Sequence, residues 1–163
     1  MTALLIERGK IRILRPKQRR SDRRLPIRAV IDLIVIEYEH QGVRKRVTIA
    51  PGFWFDGISA NWYLRFWLYL LGGRSKLEIC TALHDLLCQS HIVSKAEADH
   101  AFNEIMLALK VWSPIRKVMF DAVSGSATRN NWPQPNLKAS NLTAEGWPLF
   151  FDQCPIEAIT AAG

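Results

Sequence analysis

Between Ala82 and Phe102 the chain reads ALHDLLCQSHIVSKAEADHAF, and His84, Asp85 and Asp99 in that stretch could do chemistry together. An imidazole oriented by one carboxylate is the usual equipment for general-base activation of water. A second carboxylate beside it is a ligand for a hard cation. Asp56 adds another acid in the earlier stretch APGFWFDGIS, followed by Ser59. If Asp56 folds against Asp85, the cluster becomes three carboxylates and an imidazole. Its cation would be calcium or magnesium rather than zinc, because the ligands are oxygens. The competing reading is structural: His84 on one helix clamps Asp99 on the next, in contact or through a water. Asp85 then pairs with Arg116 or Lys117 of a later helix, and Asp56 serves a turn or a helix cap. Spacing alone favours the clamp and leaves both readings open.

Either reading requires the two segments to be neighbouring helices. At about 100° per residue, Ile79, Leu83, Leu86 and Leu87 share one stripe, while Leu77, Thr81, His84 and Cys88 gather on an adjoining face near Asp85. A helix apolar over so much of its girth is packed on two sides. In the next segment Ala98, Phe102, Ile105, Met106 and Leu109 form the stripe. Asp99 sits at its edge, where a carboxylate buried alone would be very costly. The short connection HIVS favours an antiparallel pair. At about 1.5 Å per residue, His84 and Asp99 then lie within about one turn of the same level. The predicted helices run from Lys76 to Gln89, from Ser94 to about Lys110, and from Pro114 to Val123. Ser94 and Glu97 supply a capping box for the second of these, and Pro114 suits the first turn of the third. An earlier helix is expected from the spacing of Trp62, Phe66 and Tyr69 or Leu70, with Gly72 and Gly73 as its stop.

Ahead of these helices the period is two. Ile11 to Leu14 reads as a short first strand, and Ala29 to Tyr38 as a longer one rich in Val and Ile. Glu39 to Gly42 reads as a hairpin turn, and Val43 to Ala50 returns with Val43, Lys45, Val47 and Ile49 on one face. Strands first and helices afterwards predict an α+β protein, a small N-terminal antiparallel sheet followed by a bundle of about four helices. Three parts are expected: a basic N-terminal arm with the first strand over residues 1–28, one α+β core over 29–125, and an irregular tail over 126–163. The Trp, Phe and Pro residues of the tail suggest that it is draped on the core.

At 163 residues, 48% of them hydrophobic, the chain can bury an ordinary core and is not of disordered composition. The net charge of +7 is unevenly spread: residues 1–28 hold ten Lys or Arg against Glu7 and Asp22, a net +8, so the rest sums to −1. Such an arm attracts phosphate, and an alternative function is nucleic-acid or nucleotide binding through Arg19, Arg20, Arg23 and Arg24. No aromatic residue lies within RPKQRRSDRR to stack on bases. No signal peptide is read at the N-terminus, since the apolar start breaks off at Glu7 and Arg8. The run WYLRFWLYLL from Trp62 to Leu71 is far short of the roughly 20 residues of a membrane span and reads as a buried or interface helix. The cysteines Cys80, Cys88 and Cys154 form no Cys-x-x-Cys pair and read as buried thiols in a reducing compartment.

The segments APGFWFDGISANW, LHDLLCQS and AEADHAF, with Met106 beyond them, resemble the pattern of a phage and prophage family known as domain of unknown function 1353. In that pattern a Pro-Gly-Phe-x-x-Asp-x-x-Ser segment precedes a His-Asp-x-Leu-Tyr helix and an Ala-Asp-x-x-Phe helix. Pro51, Gly52, Phe53, Asp56, Ser59, His84, Asp85, Ala98 and Asp99 all match, over roughly Ala50 to Val123. Cys88 stands where the family tends to have Tyr, and Asn61 where Pro is usual. The resemblance implies a phage or prophage origin and no established activity. The expected function is that of an accessory protein acting by binding, as a virion or assembly component or as an inhibitor of host defence. It would work in the host cytoplasm or the virion, with a phage or host protein or its own copies as partner. Trp54, Ser59 and Trp62 are candidate contact residues beside the arginines, and Trp67 and Trp112 add to the aromatic surface. The His-Asp pair with a distant Asp is also similar to secreted calcium-dependent phospholipases. That likeness implies His84 as base, Asp85 as metal ligand and Asp99 as the orienting group of a small hydrolase. The glycine-rich calcium loop and the disulfides of those enzymes are missing here.

Overall fold

The computed structural model describes residues 4–7, 11–13, 28–55, 57–58, 66–68, 70–71, 73–90, 92–125 and 154–159. The fold is α+β, as expected. Strands β1 (Leu4–Glu7), β4 (Ile34–His40), β5 (Val43–Ile49) and β7 (Ile156–Ile159) form one antiparallel sheet in the order β1-β4-β5-β7. Strands β2 (Ile11–Ile13), β3 (Arg28–Val30) and β6 (Trp54–Phe55) form a second, in the order β2-β3-β6. Helices α1 (Arg74–Ser90), α2 (Lys95–Ala108) and α3 (Ser113–Ser124) follow. Residues 66–68 and 70–71, in the run expected to form the earliest helix, are also helical.

The strand expected over Ala29 to Tyr38 is two strands. The chain leaves the second sheet after Val30 and enters the first at Ile34, with Ile31 and Asp32 exposed at the crossing. The passage from β1 to β2 and that from β5 to β6 also change sheets, so three stretches of chain each supply a strand to both. Asp32 is the polar interruption of that apolar run, and the buried residues on either side of it made the two strands read as one. The hairpin after His40 is closed by Gln41 and Gly42, at φ 51° and 78°. Two central residues in the left-handed region make the tight turn whose twist suits an antiparallel pair.

Two further differences concern the ends of the chain. β7, inside the tail expected to be irregular, pairs with β5 along Arg44 to Val47. The Ala50 N–H donates to Cys154 Sγ at 3.2 Å just before it. Arg28, assigned by its sequence position to the basic arm, is 1% exposed. It lies opposite Ile13 in the β2–β3 pair, so the Arg-rich stretch between them connects two paired strands.

Arg28 is the bolt between the second sheet and α1. Its Nε donates to Glu78 Oε1 at 3.2 Å, and Arg74 Nε donates to the same oxygen at 3.0 Å. Gly57, at φ +73°, lies against the guanidinium, where a Cβ would stand 2.5 Å from Nη1 of Arg28. The first sheet has its own acid: Glu37 on β4 accepts from Arg46 at 2.7 Å and 2.9 Å and from Arg44 on β5. The core between sheets and helices contains Ile34, Ile36, Val47, Ile49, Phe53, Phe55, Leu83, Leu86 and Phe102.

Removing one member of a buried ion pair strands the other. Glu78→Ala is therefore expected to cost about 3–5 kcal/mol in urea denaturation. Arg74→Ala, which removes the exposed member of the group, should cost less than about 1 kcal/mol.

Candidate functional site

Helix α1 is buried from Leu77 to Gln89 at every position except Asp85, which is partly exposed. His84 therefore lies between helices, as its apolar neighbours required. Ser94 caps α2, its Oγ accepting the Glu97 N–H at 3.1 Å, and the helix runs antiparallel past α1. These placements bring His84 Nε2 to 2.9 Å from Asp99 Oδ1. The clamp expected from spacing is formed.

A third member joins it. Lys95 Nζ donates to Asp99 Oδ1 and Oδ2 at 2.6 Å and 2.5 Å, and to the Val123 carbonyl at 2.9 Å. Val123 lies in the last turn of α3, where carbonyls have no intrahelical donor and the helix dipole is negative. Lys95 itself is at the first position of α2, an end where the dipole disfavours a cation. It is held there by Asp99 and by the end of α3. The side chains of Lys95, His84 and Asp99 are 12%, 11% and 11% exposed, so this is a buried tripod joining three helices.

Burial pushes the Asp99 carboxyl up, but hydrogen bonds and charge from His84 and Lys95 outweigh it and hold the group below the ordinary aspartate range. Asp99 is thus ionised at neutral pH and can only accept, so the proton at the contact belongs to His84 Nε2. In a neutral ring that leaves Nδ1 as the lone-pair nitrogen. Cys88 Sγ is 3.7 Å from both ring nitrogens, which sets the sulfur over the ring rather than in line with either lone pair. Phe102 packs on the imidazole with centroids 5.0 Å apart.

A second polar group fixes α2 to the sheet. Glu97 Oε1 accepts from Tyr38 Oη at 2.7 Å and from Lys45 Nζ at 2.6 Å. Burial raises the Glu97 carboxyl, and the bonds from Lys45 and Tyr38 outweigh it to leave the group lowered. The Tyr38 hydroxyl is pushed well up by its own burial and by Glu97. The Ser94–Glu97 pair thus makes a cap at its serine end, while its glutamate reaches across to β4 and β5. His100 Nε2 donates to the Glu39 carbonyl at 3.0 Å at the same seam.

Lys117 pairs with Asp121 on α3 at 2.8 Å. Trp54 is placed on β6 by its backbone. Arg19, Arg20, Arg23, Arg24, Asp56, Ser59 and Trp62 lie outside the described residues. Among the described residues no three His, Cys, Asp or Glu side chains are grouped to hold a metal ion. Cys80, Cys88 and Cys154 form no disulfide and are buried, and burial raises the Cys80 thiol. Lys95 and Glu78 were the partners the sequence reading missed. The spacing of Lys95 four residues before an inward-facing Asp99 is the one local signal that pointed to the former.

The family model described as "Protein of unknown function (DUF1353)" matches residues 33–123. The chain belongs to the DUF1353 family. The matched region starts earlier than the Ala50 suggested by the motifs and takes in β4 and β5 as well as the three helices. The tripod, the Glu97 group and Glu78 thus all fall inside the DUF1353 region, whereas Arg28 and β7 fall outside it. No curated protein and no solved structure matches the chain.

Asp99→Ala leaves an imidazole and an ammonium buried without their acceptor, and should lower stability by about 1–3 kcal/mol in thermal or urea unfolding. The Asp99, Glu97 and Glu37 carboxyls all sit below their ordinary values in the folded chain. The stability they contribute is complete above the unfolded-state values near 4 and disappears as the pH falls through the folded ones. Acid unfolding followed by circular dichroism should therefore begin below about pH 4, and Asp99→Asn should flatten that part of the profile.

Proposed function

We propose that the chain is an accessory protein of phage or prophage origin that acts by binding. Its partner would be a phage or host protein or further copies of itself, met in the host cytoplasm or the virion. The two roles considered are a virion or assembly component and an inhibitor of host defence. The observation that carries this reading is the tripod. Both oxygens of Asp99 are taken by Lys95, one of them shared with His84, and Lys95 also holds the end of α3. Membership of DUF1353 supports the assignment to a family and brings no activity with it.

The orientation of His84 favours one second reading. With Nε2 on Asp99, the Nδ1 lone pair is the one a general base would use, as in the hydrolase expectation. Asp85, adjacent and partly exposed, would then hold calcium or magnesium with Asp56.

Capture of the tagged chain from infected or lysogenic cells, with mass spectrometry of what comes with it, is expected to yield one phage or host protein, or copies of the chain. Recovery as a lone monomer would overturn the binding reading. Titration calorimetry with calcium and with magnesium separates the two readings. The binding reading expects no saturable heat, and a heat that disappears in Asp85→Ala would establish the metal site instead.

A further inference from the structure

Where the hairpin of β4 and β5 meets α2, two imidazoles face one another. Alternation along β4 puts Tyr38 and His40 on the same face of the strand. Helical spacing puts Glu97 and His100, three residues apart, on the same side of α2. Tyr38 bonds to Glu97 and His40 packs on His100, so the two pairs run side by side along one seam. The ring centroids of His40 and His100 are 5.2 Å apart, with the rings inclined at 55°. Both residues are partly exposed, so solvent reaches the pair.

The backbone sets the orientation of His100. Its Nε2 donates to the Glu39 carbonyl at 3.0 Å. A carbonyl only accepts, so Nε2 carries the proton, and in the neutral ring the lone pair is on Nδ1. Imidazoles that ligate a metal are ordinarily held this way, with the other ring N–H on a carbonyl or a carboxylate. The spacing fits the same chemistry. A ring centroid lies about 1.1 Å behind its nitrogen, so with Zn–N at about 2.0–2.1 Å each centroid would stand about 3.2 Å from the ion, and a tetrahedral angle would set the two about 5.2 Å apart. The observed separation is 5.2 Å. Lys45, opposite Tyr38 on β5, is bonded to Glu97 at 2.6 Å, which offsets its charge at the seam. Glu97 also interacts electrostatically with His40, so a carboxylate favours positive charge beside the pair.

We propose that His40 and His100 bind one zinc ion between the β4–β5 hairpin and α2. Both rings would ligate as neutral imidazoles, His100 through Nδ1, with water in the two remaining tetrahedral positions. Imidazole nitrogens suit zinc, nickel and copper, whereas calcium and magnesium take oxygen ligands. The spacing selects among the first three: two rings at right angles on a square-planar ion would have their centroids only about 4.5 Å apart. Among the described residues no third His, Cys, Asp or Glu completes a ligand group. The site is therefore an open one with two protein ligands, weaker than a structural zinc centre with four. An ion there would rivet the end of the hairpin to α2, one helical turn beyond the joint made by Glu97. The proposal goes beyond the protein-binding reading and uses none of the residues of the calcium or magnesium reading.

Titration calorimetry of the full chain with zinc alone tests it. One saturable zinc site is expected in the wild type. The melting temperature should rise by several degrees at saturation, because an ion that binds only the folded chain stabilises it. His40→Gln and His100→Gln should each weaken zinc binding by more than about tenfold, since loss of even an outer-shell partner of a metal ligand costs about 10–100-fold. Each variant is expected to keep the wild-type circular dichroism, because both side chains are partly exposed. His40→Gln also leaves the bond from His100 to the Glu39 carbonyl in place. Excess calcium or magnesium should not displace the zinc. The absence of saturable zinc binding overturns the proposal and makes the pair a packing contact alone. Zinc binding of unchanged affinity in both variants also overturns it and places the ion elsewhere on the chain. Either failure leaves the calcium or magnesium reading, which rests on Asp85, to its own titration.

Discussion

A carboxylate buried among helices constrains everything around it. Asp99 is 8% exposed, and left alone it would be one of the costliest groups in the core. It is tolerable only while Lys95 and His84 stay in place, and those two belong to the start of α2 and the middle of α1. Because Lys95 also reaches the end of α3, the arrangement of three helices is set by one charge. Any packing that separates Asp99 from both partners leaves an ion buried alone, so the competing ways of stacking these apolar helices are penalised. The same device recurs at the other joints. Glu97 fastens α2 to the sheet through Tyr38 and Lys45, Glu78 fastens α1 to the second sheet through Arg28, and Glu37 ties β4 to β5 through Arg44 and Arg46. A buried pair of this kind adds little to stability compared with apolar replacements, whereas loss of one member is severe. The joints decide which surfaces meet, and the apolar core supplies the driving force.

How far this was readable in the sequence depended on how local each constraint is. The helices were legible because period and caps are local: Ser94, Pro114 and the stripe around Phe102 mark them within a few residues. The His84–Asp99 contact was legible because a short connection and a known rise place two residues on antiparallel helices at one height. The other joints were hidden by sequence distance. Arg28 and Glu78 are 50 positions apart, and Tyr38 and Glu97 are 59 apart. Arg28 was assigned to a charged arm because a basic residue in a basic run looks solvated, and only Gly57 and Glu78 distinguish it. Glu97 had a sufficient local explanation as part of a capping box, which concealed its second role. β7 was missed because a four-residue strand, exposed at two of its positions, has no period to read.

The residues with the most chemical potential, His84, Lys95 and Asp99, are engaged in holding the fold. The orienting bond from Nε2 of His84 to Asp99 is the feature that a structural clamp and a general base would share. The distinction between them therefore lies in what the rest of the group does, above all Lys95.

A double-mutant cycle on Lys95 and His84 through their common partner tests that distinction most directly. Lys95→Met, His84→Phe and the double variant would be compared by urea denaturation with Asp99 kept in place. If the three residues form one structural unit, removing both Lys95 and His84 strands Asp99, and the double variant should be less stable than the sum of the single losses by about 1 kcal/mol or more. Additive losses within about 0.3–0.5 kcal/mol would mean that Lys95 and His84 act independently, and would contradict the account of Asp99 as the joint on which the helices are assembled.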